Sequence, residues 1–322
     1  MTTKLPWPNN RFLLPAGLLP PTVTLADFKY YEDLRSGRFS HSSPIAVGFE
    51  YYYIIDQDPQ DVNRSPIGGK IKGVHSPWTQ MKNSPGLMPK IYTHLLFKPP
   101  LTGTLWEQAQ KTVSFAEKVG AEYVVFHTPD VDLENPGRFV SKLLKLTKAN
   151  RPKLFLENDF EKSAAFLTKK PAERWTFDPL ALYQKFRLPI VYDPATVEIN
   201  GQSIDKTWQE LMKVSRSNIN RTIAHIHLNE FVPALNRDHG IMQSPRYADL
   251  LHQIAKTNYS GYFTFEVDYI QNLADFAETG LFVAASFLGL PKLAPDFFTR
   301  YPQKSQQSLY DSIKFSQKHL SV

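Results

Sequence analysis

The chain has 322 residues, 42% of them hydrophobic and 21% charged. It can bury a large core, and because about 250 residues is typical of one β/α barrel, a single elaborated domain is the economical reading. Cysteine is absent, which excludes disulfides, thiolate zinc sites and cysteine nucleophiles and leaves His, Asp and Glu to hold any metal. The net charge of +6 and pI near 9.2 are compatible with a phosphate-bearing substrate or nucleic acid.

The N-terminal stretch has one short apolar run broken by Pro15, Pro20 and Pro21, too short and proline-rich for a secretory segment or a membrane span. We read residues 1–43 as an extension packed on the domain and place the chain in the cytoplasm. Strands are expected over 44–55 and 70–78, followed by a long loop to about residue 104 whose length marks a lid or substrate loop. A helix with Gly120 as its stop leads into the strand "AEYVVFH". Alternation continues with helices over 136–149, 178–187, 204–217 and 245–257, and strands over 153–157, 189–193, 222–228 and 261–267. Strand–helix units in series imply right-handed crossovers and a parallel sheet. The expected fold is a single-domain (β/α)8 TIM barrel over 44–290, with a basic amphipathic C-terminal helix in 291–322.

Five of these strands end on residues that can bind a metal: His127, Glu157, Asp193, His227 and Glu266. Side chains alternate along a strand, so Phe155 shares a face with Glu157, Val191 with Asp193, His225 with His227 and Thr264 with Glu266. If that face points inward, four successive strands close on Glu, Asp, His and Glu at the C-terminal mouth, where barrel active sites lie. Gly73 with His75, Val125 with His127 and Gly48 with Glu50 extend the layer. Carboxylates converging on an apolar cavity repel one another and are costly to desolvate without a cation. A divalent metal resolves this, and oxygen ligands with one imidazole suit Mn, Mg, Co or Zn. His225, two residues deeper, reads as a hydrogen-bonded core histidine. Tyr51, Tyr52, Tyr53 and Trp78 are candidate walls of a sugar site, although adjacent tyrosines cannot all face inward. His239 is a candidate for catalysis or for supporting the ligands, and Arg237 for clamping a substrate anion.

Through "VHSPW", "AEKVGAEYVVFHTP", "LFLEND", "VYDPA", "HIHLNE" and "FTFEVD", residues 44 to 290 resemble the xylose isomerase-like TIM barrel superfamily of sugar isomerases, 3-epimerases and endonuclease IV-type nucleases. The resemblance implies that Glu157, Asp193, His227 and Glu266 hold a common metal. It also implies that His75 and His127 either bind a second metal bridged by Glu157, as in the nuclease branch, or contact substrate. In the nuclease branch the strand-end Asp is followed three residues later by His, where this chain has Thr196. A distal Asp-Arg-His there stands against Arg237-Asp238-His239 here, so a third metal is not expected. The lysine that follows the strand-end Glu in true xylose isomerases is replaced by Asn158-Asp159. This favours proton transfer by Glu157 and Glu266.

The leading expectation is therefore a metal-dependent isomerase or epimerase of a small sugar or polyol carbonyl compound, with one metal or two. The alternatives are an endonuclease IV-like phosphodiesterase acting on nucleic acid and a barrel that only binds a ligand.

Overall fold

The computed structural model describes residues 9–16, 32–33, 35–36, 45–53, 57–77, 104–128, 131–147, 152–161, 171–216, 218–268, 270–278 and 297–321. Eight parallel strands close a barrel: β1 (Phe12–Ala16), β2 (Gly48–Tyr52), β3 (Ile71–His75), β4 (Tyr123–His127), β5 (Lys153–Glu157), β6 (Ile190–Tyr192), β7 (Ile223–Leu228) and β10 (Tyr262–Phe265). β1 pairs with both β2 and β10, which completes the ring. A small antiparallel hairpin, β8 (Glu230–Val232) and β9 (Arg237–Gly240), leaves the end of β7. Helices among the described residues include α1 (Pro59–Arg64), α2 (Leu105–Val119), α3 (Pro136–Leu146), α4 (Pro179–Phe186), α5 (Pro194–Ile199), α6 (Ile204–Ser215), α7 (Pro245–Ala255) and α8 (Phe297–Leu320).

Helix boundaries follow local chemistry. Thr104 and Glu107 form a reciprocal capping box on α2, and Gly120 ends it at φ 74°, a left-handed conformation that glycine adopts without a Cβ penalty. Asp178 caps α4 by accepting from Leu180 and Ala181 N–H, ahead of Pro179 at the first position. α8 lies along α7, with Ser308, Leu309, Ser312 and Ile313 buried and the Ser312 hydroxyl accepting from Met242 N–H at 3.0 Å. Among the described residues no helix is long and apolar enough to cross a membrane.

The core has two layers set by strand alternation. Leu13, Tyr123, Val125, Phe155 and Val191 fill the barrel interior. The intervening residues, among them Val124, Phe126, Leu156, Ile226 and Phe263, face outward into a larger apolar shell with the helices. At Gly73 the interior is so close that an added Cβ would lie 2.1 Å from Tyr123 Cζ. The expected inward parity thus holds: the apolar partners of Glu157, Asp193 and His127 line the inside.

The barrel differs from the expected boundaries in two places. Residues 12–16, assigned from sequence to an N-terminal extension, form β1, a fully buried barrel strand, so the barrel begins well before residue 44. Proline lacks the N–H for a ladder bond, which is why the run containing Pro15 reads as a break. The second strand is shorter than 44–55, covering Gly48–Tyr52. The loop expected as a lid over 79–104, and Trp78, lie outside the described residues except for Thr104.

Candidate metal centre

Each predicted ligand is brought to the barrel mouth by the end of its strand. β5 ends at Glu157, β7 carries His227, and Glu266 follows β10 directly. Asp193 follows β6 and caps α5: Oδ1 accepts from Ala195 N–H at 2.7 Å and Thr196 N–H at 3.1 Å, while Oδ2 accepts from Asn229 Nδ2 at 3.1 Å. Glu157, Asp193, His227 and Glu266 are buried, and each offers a ligand atom within 4.8 Å of the others'. A second cluster, His75, His127 and Glu157, meets the same distance and shares Glu157.

His227 is the hub. Its Nδ1 lies 2.8 Å from Glu157 Oε1 and 3.2 Å from Glu266 Oε1, and its Nε2 lies 3.1 Å from Glu50 Oε1. Glu157 Oε2 faces His75 Nε2 at 3.2 Å and His127 Nε2 at 3.8 Å. His127 Nδ1 is 3.5 Å from Asp159 Oδ2, and His239 Nε2 is 3.9 Å from Glu266 Oε2. His127 and His239 are the more exposed of these imidazoles and rim the mouth.

The electrostatics are those of a buried acidic cluster whose charge is met by neighbouring imidazoles. Burial, with the Glu266 and Glu157 charges beside it, pushes the Asp193 carboxyl well above the usual carboxylate range. Burial also opposes the Glu157 charge, but the His227 and His127 imidazoles and the hydrogen bonds outweigh it and hold that carboxyl well below its ordinary value. His227 is the mirror case: burial favours its neutral form, yet Glu157, Glu266 and Glu50 lift it well above the usual imidazole value. His75 resists burial in the same way, raised to about 9 by its hydrogen bond to Glu157 and by the surrounding carboxylates. Without metal these histidines supply the positive charge. Three buried carboxylates and one imidazole on a common centre are also a donor set suited to a divalent cation, which would take over that compensation. The residues present therefore fit the ion.

Some expected side chains have other partners. Arg237 turns its fork to Asp268, Nη1 lying 3.3 Å from Oδ1 and Nη2 closing on Oδ2. Thr196 is buried within α5 with its N–H on Asp193. His225 is a buried core histidine as expected, its Nε2 2.9 Å from Thr264 Oγ1 and 2.9 Å from Glu50 Oε2. Of the three tyrosines only Tyr52 faces the site: it stacks on His75 with centroids 4.7 Å apart, and its hydroxyl donates to Glu266 Oε1. Tyr51 and Tyr53 pack outward on Phe115. The parity signal that marks Glu50 also points to Tyr52 two residues on. Asn229, two residues on from His227 and within the "HIHLNE" run, orients Asp193 and accepts from His239 N–H at 3.1 Å.

No protein-family model matches the sequence, and no curated protein matches it. Among solved structures the chain is similar to an L-ribulose 3-epimerase, with 10% identity, a TM-score of 0.52, and coverage of 94% of this chain and 97% of that one. The fold the two share is a closed eight-stranded β/α barrel. Two further similar structures are a xylose isomerase domain protein from Planctomyces limnophilus (14% identity, TM-score 0.47, covering 87% and 98%) and endonuclease IV from Thermus thermophilus (15% identity, TM-score 0.44, covering 87% and 99%). Within this barrel the cluster sits at the C-terminal ends of the strands, the face on which β/α barrels carry their active sites.

Proposed function

We propose that the protein is a metal-dependent isomerase or epimerase of a small polyhydroxylated carbonyl compound. The observation that carries this reading is the convergence of Glu157 and Glu266 on one imidazole nitrogen, 2.8 and 3.2 Å from His227 Nδ1. Two carboxylates flanking a common point can address opposite faces of one substrate carbon.

Glu157, Asp193, His227 and Glu266 would hold the ion, and a divalent metal there supplies Lewis acidity toward a carbonyl and its neighbouring hydroxyl. One of the two glutamates takes the proton from the carbon alpha to the carbonyl, and the C–H electron pair moves toward the carbonyl oxygen. Return of a proton to the opposite face by the other glutamate inverts that carbon; return to the former carbonyl carbon, with the neighbouring hydroxyl's proton passing to the former carbonyl oxygen, isomerises the sugar. Tyr52 donates to Glu266 and so orients one carboxylate, while Asn229 orients Asp193. Asn158, in place of a lysine, leaves the glutamates as the proton carriers.

A second reading, a phosphodiesterase, is favoured by the His75, His127 and Glu157 cluster, because two metals sharing a carboxylate suit activation of water and stabilisation of a leaving oxygen. One pair of assays separates them. Ketoses incubated in deuterated water are followed by proton NMR, beside a nicking assay on duplex DNA bearing one abasic site. The expected result is deuterium at the alpha carbon, lost in Glu266→Gln; no exchange with any ketose, together with metal-dependent nicking abolished by Glu157→Gln, would replace the isomerase with the phosphodiesterase.

A further inference from the structure

Glu50, inward on β2, is fully buried on the floor of the site. Its two oxygens are used differently. Oε2 accepts from the Tyr123 hydroxyl, from the Thr264 hydroxyl at 3.1 Å and faces His225 Nε2 at 2.9 Å. Oε1 faces His227 Nε2 at 3.1 Å. Two hydroxyl donors close on Oε2, so Glu50 acts here as a hydrogen-bond acceptor.

His227 Nε2 points at this acceptor, so it is the nitrogen that keeps its hydrogen when the other one binds a metal. The opposite nitrogen, Nδ1, faces Glu157 and Glu266. Glu50 itself lies within ligand distance of His75, His227 and Glu266. Three of its neighbours, Tyr123, Thr264 and His225, crowd Oε2, and Oε1 is turned to His227.

We propose that Glu50 is a positioning residue for the metal centre: it fixes His227 with the hydrogen on Nε2, so that Nδ1 is the ligating atom, and strengthens that nitrogen as a donor. Tyr123, Thr264 and His225 hold the carboxylate in the one orientation that directs Oε1 at His227. The inference rests on the reading of Glu157, Asp193, His227 and Glu266 as a metal site.

Zinc, being diamagnetic, is the probe, and the full chain is used. In the zinc-loaded wild type, long-range proton–nitrogen NMR should show His227 protonated on Nε2 with a metal-shifted Nδ1. By chelator competition, Glu50→Gln should weaken zinc binding roughly 10–100-fold. A wild type that takes up no zinc overturns the metal reading itself. Zinc uptake with His227 protonated on Nδ1, or wild-type zinc affinity in Glu50→Gln, overturns the role of Glu50 alone. If Glu50→Gln does not fold, the wild-type spectrum decides.

Discussion

The two oxygens of Asp193 divide between the backbone and the cluster, Oδ1 capping α5 and Oδ2 turned toward Asn229. Asparagine is as good an N-cap as aspartate, and it removes a charge that burial, Glu266 and Glu157 all disfavour. Asp193→Asn should therefore cost the metal-free protein no more than about 1 kcal/mol, the scale of one hydrogen bond, while metal affinity falls steeply. Thermal unfolding of both proteins with and without metal checks this; a large loss of metal-free stability would mean that the charge itself supports the fold. His75 yields a pH prediction. Its folded value of about 9 lies above the ordinary 6.5, so the bound proton stabilises the metal-free fold fully below 6.5 and that contribution is lost as pH rises through about 9. Calorimetry from pH 6.5 to 9 should show Tm of the metal-free wild type falling, and His75→Gln should flatten the slope. An unchanged slope would show that the imidazole is neutral throughout.

At the scale of elements, β3 is held to β4 by the absence of a side chain at Gly73. A methyl there would meet the Tyr123 ring at 2.1 to 2.4 Å, and Tyr123 is buried with its hydroxyl on Glu50. Gly73→Ala should destabilise the protein by roughly 1–3 kcal/mol, the usual cost of overpacking, measured by urea denaturation; a neutral effect would mean that the ring can move aside. The strands that were legible in the sequence, β2 to β7 and β10, are short apolar runs, most of them leading into a metal-binding or other polar residue. β1 was not, because Pro15 interrupts its pattern. α5 was missed for another reason: its six residues start at Pro194, immediately after the strand-end Asp193, leaving no room for a helical period to show. The β8–β9 hairpin turns at Asn236 in a left-handed conformation and carries no alternating apolar pattern.

For the molecule as a whole, inward parity was enough to find the barrel and the cluster, since one alternation rule places Glu157, Asp193, His227 and Glu266 on the same side of successive strands. The contacts that tune the cluster, such as Asn229 on Asp193, Tyr52 on Glu266 and Arg237 on Asp268, depend on how the ends of different strands and loops meet. That is a property of the closed barrel and not of any one segment. A cation binding the folded state alone should also stabilise the whole chain by mass action, by about 2.7 kcal/mol at a free concentration a hundred times Kd. The most direct test of the account is elemental analysis after metal loading and dialysis, on wild type and on Glu157→Ala/Glu266→Ala. The account predicts one divalent ion per wild-type chain, two at most, and a steep loss of occupancy in the double variant; equal occupancy in both proteins would contradict it.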